Sequence, residues 1–362
     1  MSTLKVDGIR SNSASSDAIT LASDGTCTAN ITNNLSNRNL CINGADMMIA
    51  QRGTSTTGLQ NTGGVYTLDR FAHRRDGTWA NAQFKHEQVD SGTGLFKKAL
   101  KVTTTTAEGS APASNKCVMI GHYLEAQDSI AYFGDGTAEA KSFTVSFYVK
   151  TSIATTYALH LSTNHLATEK AYIIPFTVSS ANTWERKTCT FPAITNSIGS
   201  VDITGANSGL KFHWVLDAAT GSQSANTYFN DTGSDFEYPS GQSPSGFANT
   251  LNATFELSGV QIEAGSVATD LEHKSFGEEM HLCKRYYAQI EQTLYGTVYS
   301  TSSGFVYHYH VPEMRATPSF TYTGRATSSG FNYASYSNNK IFQCIMTHLS
   351  SWLQGAKWDA EL

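Results

Sequence analysis

Hydrophobic and polar residues alternate along most of this chain in short runs, which is the pattern of half-buried β-strands. Between the runs stand Gly, Asn, Asp and Ser, the residues that favour turns. The clearest runs occupy residues 65–68, 99–102, 117–120, 143–149, 171–176, 211–216 and 254–260. Because no helical periodicity separates them, we predict an all-β fold, an antiparallel sandwich of the jelly-roll kind.

One helix is predicted at the end of this series of strands. Ser275 and Glu278 have the spacing of a capping box, in which side chains satisfy the free N–H groups at a helix start. After the helix, β-type alternation returns at 295–299 and 304–311. We therefore predict a junction helix and a small C-terminal β-module at 277–362, of a size that usually needs oligomerisation for stability.

The N-terminal residues 1–36 alternate at 18–21 and 26–28, around the turn dipeptide Asp24-Gly25. A hairpin this short is marginal in water, so we predict an arm that gains its burial from other chains or from a larger particle. The jelly roll is then assigned to residues 37–276. Within it, residues 217–250 are rich in Ser, Gly, Asn and Pro and are predicted to form a long surface loop.

Composition narrows the classes of function. Charged residues make up 15% of the chain, against about 25% in typical proteins, and the net charge is -5. No Lys/Arg cluster exceeds two residues, so nucleic acid is not an expected partner. No run of 18 apolar residues occurs, so no membrane insertion is expected. The six cysteines are far apart and form no Cys-x-x-Cys pair, so they are interpreted as small buried hydrophobic residues.

No catalytic signature is present, and we expect a protein that is not an enzyme and uses no cofactor. Asp231, Asp235 and Glu237 have the chemistry of glycosidase carboxylates or calcium ligands, but acids in turns are more often simply solvated. His308 and His310 lie two apart on a predicted strand and therefore share a face. Three chains would supply six imidazoles to a transition metal; in the alternative, the histidines are ordinary strand residues, and no metal is assigned.

Glycan binding needs exposed rings that stack on sugar faces and polar groups that pair with hydroxyls. The predicted 217–250 loop carries both kinds, and the candidate glycan-binding residues are Tyr228, Phe229, Asn230, Asp231 and Tyr238. A second cluster lies near the C-terminus and comprises Asn332, Tyr333, Tyr336, Asn338, Asn339 and Trp352. The alternative for both clusters is that the rings pack in the core or between subunits.

One block of sequence is distinctive. Residues 255–265 read Phe-Glu-Leu-Ser-Gly-Val-Gln-Ile-Glu-Ala-Gly, and 283–287 read Cys-Lys-Arg-Tyr-Tyr. The block resembles one in tail-fibre and minor structural proteins of phages of aquatic bacteria, in which the last jelly-roll strand leads into a short helix ending Cys-x-Arg-Tyr-Tyr. Segments 42–45, 49–53, 68–71 and 314–318 are also similar, so the resemblance covers roughly residues 40–330. Asp46 and Asp270 depart from the pattern.

The resemblance implies a structural protein of a tailed-phage virion, made in the host cytoplasm. It implies most specifically a homotrimeric tail fibre that mediates host attachment through carbohydrate binding to surface glycans. Its partners would be other copies of itself and other virion proteins, the latter contacted by the N-terminal arm. The alternatives are a capsid decoration or neck protein with no receptor role, and a glycan-degrading tailspike.

Overall fold

The computed structural model describes residues 6–10, 19–21, 27–29, 39–60, 63–113, 116–199, 208–231, 237–295, 297–300, 303–325, 336–337, 340–346 and 352–361. The chain divides into two units, Met1–Asn37 and Arg38–Leu362. In the first unit, strands β1 (Gly8–Ile9), β2 (Ile19–Leu21) and β3 (Cys27–Ala29) form an antiparallel sheet in that order. The predicted pairing of the alternating segments is confirmed, and the Asp24-Gly25 turn lies outside the described residues.

The described part of the second unit contains two helices, α1 (Ala126–Phe133) and α2 (Phe276–Lys284). Its strands before α2 are β4 (Ser55–Leu59), β5 (Val65–Leu68), β6 (Phe71–Asp76), β7 (Gln83–Asp90), β8 (Lys98–Thr106), β9 (Cys117–Glu125), β10 (Phe143–Thr151), β11 (Thr156–Thr163), β12 (Lys170–Thr177), β13 (Glu185–Phe191), β14 (Ser208–Ala218), β15 (Phe229–Asn230) and β16 (Thr254–Ala264). After α2 come β17 (Tyr287–Tyr295), β18 (Thr297–Ser300), β19 (Ser303–Tyr309), β20 (Ser319–Thr321), β21 (Gly324–Arg325), β22 (Tyr336–Ser337), β23 (Ile341–Met346) and β24 (Trp352–Asp359).

Two antiparallel sheets form the sandwich. One has six strands in the order β13-β10-β16-β8-β7-β4, and the other has seven in the order β15-β12-β11-β14-β9-β6-β5. The predicted all-β jelly-roll fold is confirmed. Successive side chains of β14 point to opposite faces of its sheet. Phe212 and Trp214 point into the main core between the sheets, and Val215 points to the outer face.

Aromatic rings from the two sheets meet in the core. Phe147 of β10 lies 5.8 Å from Trp214 of β14, and Phe143 of β10 lies 6.1 Å from Phe212, measured between ring centroids. All four residues are fully buried. Burial of each such side chain stabilises the fold by about 1.5–3 kcal/mol relative to exposure.

The sequence predicts only one of these two helices. At α2, the Ser275 side chain accepts a hydrogen bond from the Glu278 N–H at 3.3 Å, which confirms the predicted start. Helix α1 was not predicted, and Glu125 at its N-cap makes no side-chain capping bond. Its packing is long-range: a Cβ at Gly209 of β14 would come within 2.6 Å of the Ala126 Cα, so only glycine admits this approach.

The C-terminal strands pack against the sandwich within the same unit. The Arg285 guanidinium pairs with Glu125 at 2.7 Å, and the Tyr286 hydroxyl donates to the same carboxylate at 2.6 Å. The guanidinium of Arg70, which is 1% exposed, pairs with Glu361 and lies 3.5 Å from the centre of the Tyr286 ring. Ion pairs whose carboxylates are buried therefore join the sandwich to Arg285 and to Glu361 near the C-terminus.

The interpretation of the cysteines is confirmed where it can be checked. Cys41, Cys117, Cys189 and Cys283 are buried and free, and burial raises the pKa of the Cys189 thiol to about 12. The side chains of the remaining two cysteines lie outside the described residues. Neither described helix has the length and apolar character needed to cross a bilayer.

Candidate functional site

The 217–250 segment is only partly a surface loop, because it folds back on the outer face of the seven-stranded sheet. Its residues Phe229 and Asn230 form β15, which pairs with β12 at the sheet edge. Tyr238 is fully buried, and its hydroxyl donates to the main-chain oxygens of Val215 and Leu216 at 3.3 and 3.1 Å. Burial raises the Tyr238 pKa well above its ordinary value. This ring therefore presents no face to a ligand.

The other predicted glycan-binding residues do not form one exposed platform. The Tyr228 hydroxyl donates to the Pro192 oxygen at 2.7 Å, and Phe229 packs half-buried against the cluster that contains Tyr238. Asn230 is exposed, and its Oδ1 accepts from Lys170 Nζ at 2.6 Å. Asp231 is half-buried, and its N–H donates to the Glu169 oxygen at 3.0 Å. Tyr228 thus packs against the main core, while Phe229 and Tyr238 pack on the opposite face of the sheet, so the five residues form no common surface.

The remaining candidates from the sequence fall in several places. In the second cluster, Asn332, Tyr333, Asn338 and Asn339 lie outside the described residues, and so do the side chains of Tyr336 and Trp352. Asp235 also lies outside them.

His308 and His310 share a face, as predicted. Their ring centroids lie 4.5 and 5.3 Å from that of Trp358, so both histidines pack on this indole. Across the described parts of the chain, no three His, Cys, Asp or Glu side chains cluster in a metal-binding arrangement.

A shallow cleft of about 440 Å³ borders the 217–250 segment. Its lining is uncharged and includes Pro175, Pro239 and Gln242. The Gln242 Nε2 donates to the Thr156 oxygen at 3.0 Å, while its Oε1 accepts from no group in the described chain. The lining contains no aromatic side chain, so this cleft supplies hydroxyl and amide groups without a ring on which a sugar could stack.

A different cavity combines a ring with polar groups. It has a volume of about 190 Å³ and lies between the loop after Asn43 and the start of α2. We call it the α2 pocket, and its lining residues are Asn43, Ala45, Asp46, Met47, Met48, Lys97, Lys274, Phe276 and Glu279.

The floor of the α2 pocket is a buried carboxylate. Glu279 is 8% exposed, and its Oε2 accepts from the Asn43 N–H at 2.6 Å. Its Oε1 is also buried, yet no described group donates to it. Burial raises the pKa of this carboxyl, which the Asn43 N–H and nearby Lys274 oppose. An unsatisfied carboxylate oxygen at a cavity floor is an acceptor for a donor from a ligand.

The walls of the pocket are apolar and open to solvent. The Phe276 side chain is 56% exposed, and Met48 is 36% exposed. Phe276 is the first residue of α2, where the Ser275 cap holds it at the helix start. Opposite, the loop is fixed by Asn43, whose Nδ2 donates to the Ile49 oxygen at 2.9 Å and whose Oδ1 accepts from the Ile49 N–H at 3.0 Å. Hydrogen bonds therefore hold the helix start on one side of the pocket and the loop on the other.

Charged groups at the rim are largely engaged by the protein itself. Asp46 accepts from the Lys97 N–H at 3.1 Å through Oδ1 and from His273 Nδ1 at 2.7 Å through Oδ2. The ammonium of Lys274 donates to the Asn39 oxygen. Glu279 Oε1, in contrast, accepts a hydrogen bond from no described group.

Sequence reasoning missed this pocket. Ser275 and Glu278 indicate a helix start. No local pattern connects the neighbouring Phe276 and Glu279 with residues 43–48, which lie more than 220 positions away. A local signal did exist: a large aromatic residue at the first position of a polar helix has no local packing role. The departure at Asp46 from the phage-like pattern also falls in the pocket lining.

Comparison with protein-family models gives no match, and no curated protein matches. Among solved structures, the fold is similar to a family 11 carbohydrate-binding module of a Clostridium thermocellum cellulase, with 13% identity, a TM-score of 0.29, and coverage of 62% of this chain and 99% of that one. A putative sugar-binding protein of Bacteroides thetaiotaomicron has 10% identity, a TM-score of 0.31, and coverage of 63% and 100%. The enzymatically active domain of tailspike protein 4 of bacteriophage CBA120 has 10% identity, a TM-score of 0.31, and coverage of 63% and 22%. At these values the likenesses establish neither kinship nor function.

Proposed function

We propose that this protein is a glycan-binding structural component of a tailed-phage virion, and that the α2 pocket is its glycan site. The observation that carries the binding proposal is the exposed ring of Phe276 beside a cavity whose floor is the unpartnered Oε1 of Glu279. Sugars combine apolar C–H faces with hydroxyl donors. A ring that stacks and a carboxylate that accepts match both features.

The size and rigidity of the pocket support a single sugar residue as the occupant. Its volume of about 190 Å³ is below the ~300 Å³ at which pockets for drug-sized ligands begin. Asn43 and the Ser275 cap hold the two walls before any ligand arrives, so little ordering is required on binding.

The state of the carboxylates supports a proposal of binding without cleavage. Glycoside hydrolysis normally uses two carboxyl groups, one as acid and one as base or nucleophile. In the α2 pocket Glu279 Oε1 has no described partner, whereas each oxygen of Asp46 already accepts a hydrogen bond from the protein. We therefore propose a receptor-binding role and not a glycan-degrading one.

The virion assignment is supported by the sequence block at 255–287. In the structure this block is β16, the segment that follows it, and α2, and its last residue, Tyr287, begins β17. The phage-like pattern thus includes the helix that contributes Phe276 and Glu279 to the pocket and leads into the C-terminal strands. We propose a trimeric tail fibre, with the N-terminal arm attached to other virion proteins. Ile9, which is 53% exposed on β1, offers apolar surface for such a contact.

The binding proposal is tested by titrating the purified protein with oligosaccharides from host cells and measuring the dissociation constant. Phe276→Ala should weaken binding by about twofold to twelvefold, which corresponds to a stacked ring contributing ~0.5–1.5 kcal/mol. The matched control is Tyr132→Ala, because Tyr132 is 45% exposed on α1, outside the pocket lining. Equal affinity of wild type and Phe276→Ala would refute the assignment of the site.

A further inference from the structure

We infer that the α2 pocket selects acidic sugars, those with a carboxylate beside their ring hydroxyls, through the ammonium group of Lys97. This inference rests on the proposed function. It concerns which sugar the pocket prefers, whereas the proposed function requires only that a sugar binds there.

Charged groups of both signs surround the pocket. Four charged side chains line it: Asp46, Lys97, Lys274 and Glu279. Asp46 is engaged through both oxygens, and the Lys274 ammonium donates to a main-chain oxygen. The main-chain N–H of Lys97 is held by Asp46, while its side chain is exposed and lines the pocket. In the described part of the chain, its Nζ has no hydrogen-bonding or ion-pair partner.

The two unpartnered groups have opposite charge and lie at different depths. Glu279 Oε1 is buried at the floor, and Lys97 Nζ belongs to an exposed side chain at the rim. A ligand that satisfies both places a hydrogen-bond donor inward and an anion outward. A sugar acid has this arrangement, because its hydroxyls donate and its carboxylate accepts.

Other charge classes fit this arrangement less well. A cationic ligand would approach the Lys97 ammonium, with which no carboxylate of the described chain pairs, and an anion at the floor would meet the Glu279 carboxylate. A neutral sugar satisfies the floor but leaves the Lys97 ammonium in water. Since an exposed ion pair is typically worth 0.2–1 kcal/mol, the expected preference for the acidic sugar is up to about fivefold.

The test measures dissociation constants for two pairs of probes by calorimetry at low salt. Methyl glucuronide is compared with methyl glucoside, and methyl galacturonide with methyl galactoside, so that the result does not depend on one epimer. Wild type should bind at least one glucuronide or galacturonide probe about threefold to fivefold more tightly than its neutral counterpart. Raising the salt to 0.5 M should reduce that ratio, because the Debye length falls to a few ångströms.

Variants separate the two groups. Lys97→Met should bring the ratio close to one, while Lys98→Met should keep it, because the adjacent Lys98 pairs with Asp90 at 2.6 Å and is absent from the pocket lining. Glu279→Gln should weaken both members of a pair, since the amide still accepts from Asn43 but can present a donor to the ligand. Circular dichroism checks that each variant is folded.

The outcomes distinguish the inference from the function on which it rests. Equal affinity for acidic and neutral probes in wild type, or an unchanged preference in Lys97→Met, overturns the selectivity while leaving glycan binding intact. Failure of all four probes to bind, together with failure of host oligosaccharides, overturns the proposed glycan site itself.

Discussion

Two histidines between the sheets should make the stability of the sandwich sensitive to acid. His73 of β6 and His86 of β7 belong to different sheets, and their ring centroids are 5.8 Å apart. Both are fully buried, and none of their four ring nitrogens has a hydrogen-bond partner in the described structure. Burial, and then the nearby Arg75, lowers the pKa of His73 from 6.5 to about 4. Burial also lowers the pKa of His86 well below its ordinary value.

The sign of the effect follows from which state binds the proton. Between pH 6.5 and about 4, His73 is protonated in the unfolded chain and neutral in the folded one, so stability falls as the pH falls through this window. Between pH 7.5 and 5.0 the cost from His73 alone is about 2 kcal/mol. Asp69 and Asp135 act in the opposite direction, because burial raises their pKa values to about 6 and about 7. The total change in unfolding free energy with pH therefore contains contributions of both signs.

The assay isolates His73 by comparing variants. Urea unfolding of wild type, His73→Phe and His281→Asn is followed at pH 7.5 and 5.0, and the change in unfolding free energy between the two pH values is taken for each protein. For His73→Phe this change should be about 2 kcal/mol less destabilising than for wild type. His281, which is exposed, provides the control and should leave the change as in wild type. The reasoning is refuted if His73→Phe shows the wild-type pH dependence.

Four further predictions concern packing and assembly. Tyr238→Ala should lower the unfolding free energy by about 3–5 kcal/mol in urea titrations, because a fully buried ring is removed, whereas a surface ring would give less than about 0.5 kcal/mol. Glu361→Ala should cost about 3 kcal/mol, since it leaves the buried Arg70 guanidinium without its carboxylate. Asp359→Ala, at a side chain that is 42% exposed, should cost less than about 1 kcal/mol. Deleting residues 1–36 should leave a folded body that no longer joins the particle, and native mass spectrometry of the full chain should give a trimer; wild-type incorporation or a monomeric mass would contradict these two expectations.

Much of the fold could be predicted because its strands have local signatures. The alternation at 211–216 lies within β14, and the run at 65–68 coincides with β5. The start of α2 was equally local, since Ser275 caps the helix through a residue three positions away. In each case the residues that decide the structure are close together in the chain.

The missed features depend on distant residues. Tyr238 is buried because 217–250 lies against β14 and β9, and nothing in its own alternation indicates that partner. Helix α1 depends on the close approach of Gly209. The α2 pocket joins Asn43, Lys97 and Glu279, whose arrangement exists only once the sandwich has formed. Composition could identify residue types suited to sugars, but it could not show which rings remain exposed.

Photo-crosslinking tests the location of the glycan site most directly. A host oligosaccharide carrying a photoreactive group is bound to the full-length protein, irradiated, and the labelled peptides are identified by mass spectrometry. We expect labels on the peptides that contain residues 43–48 and 274–279, and loss of these labels in Phe276→Ala. Labels concentrated instead on 217–250 or on the C-terminal strands, and unchanged in Phe276→Ala, would contradict this location.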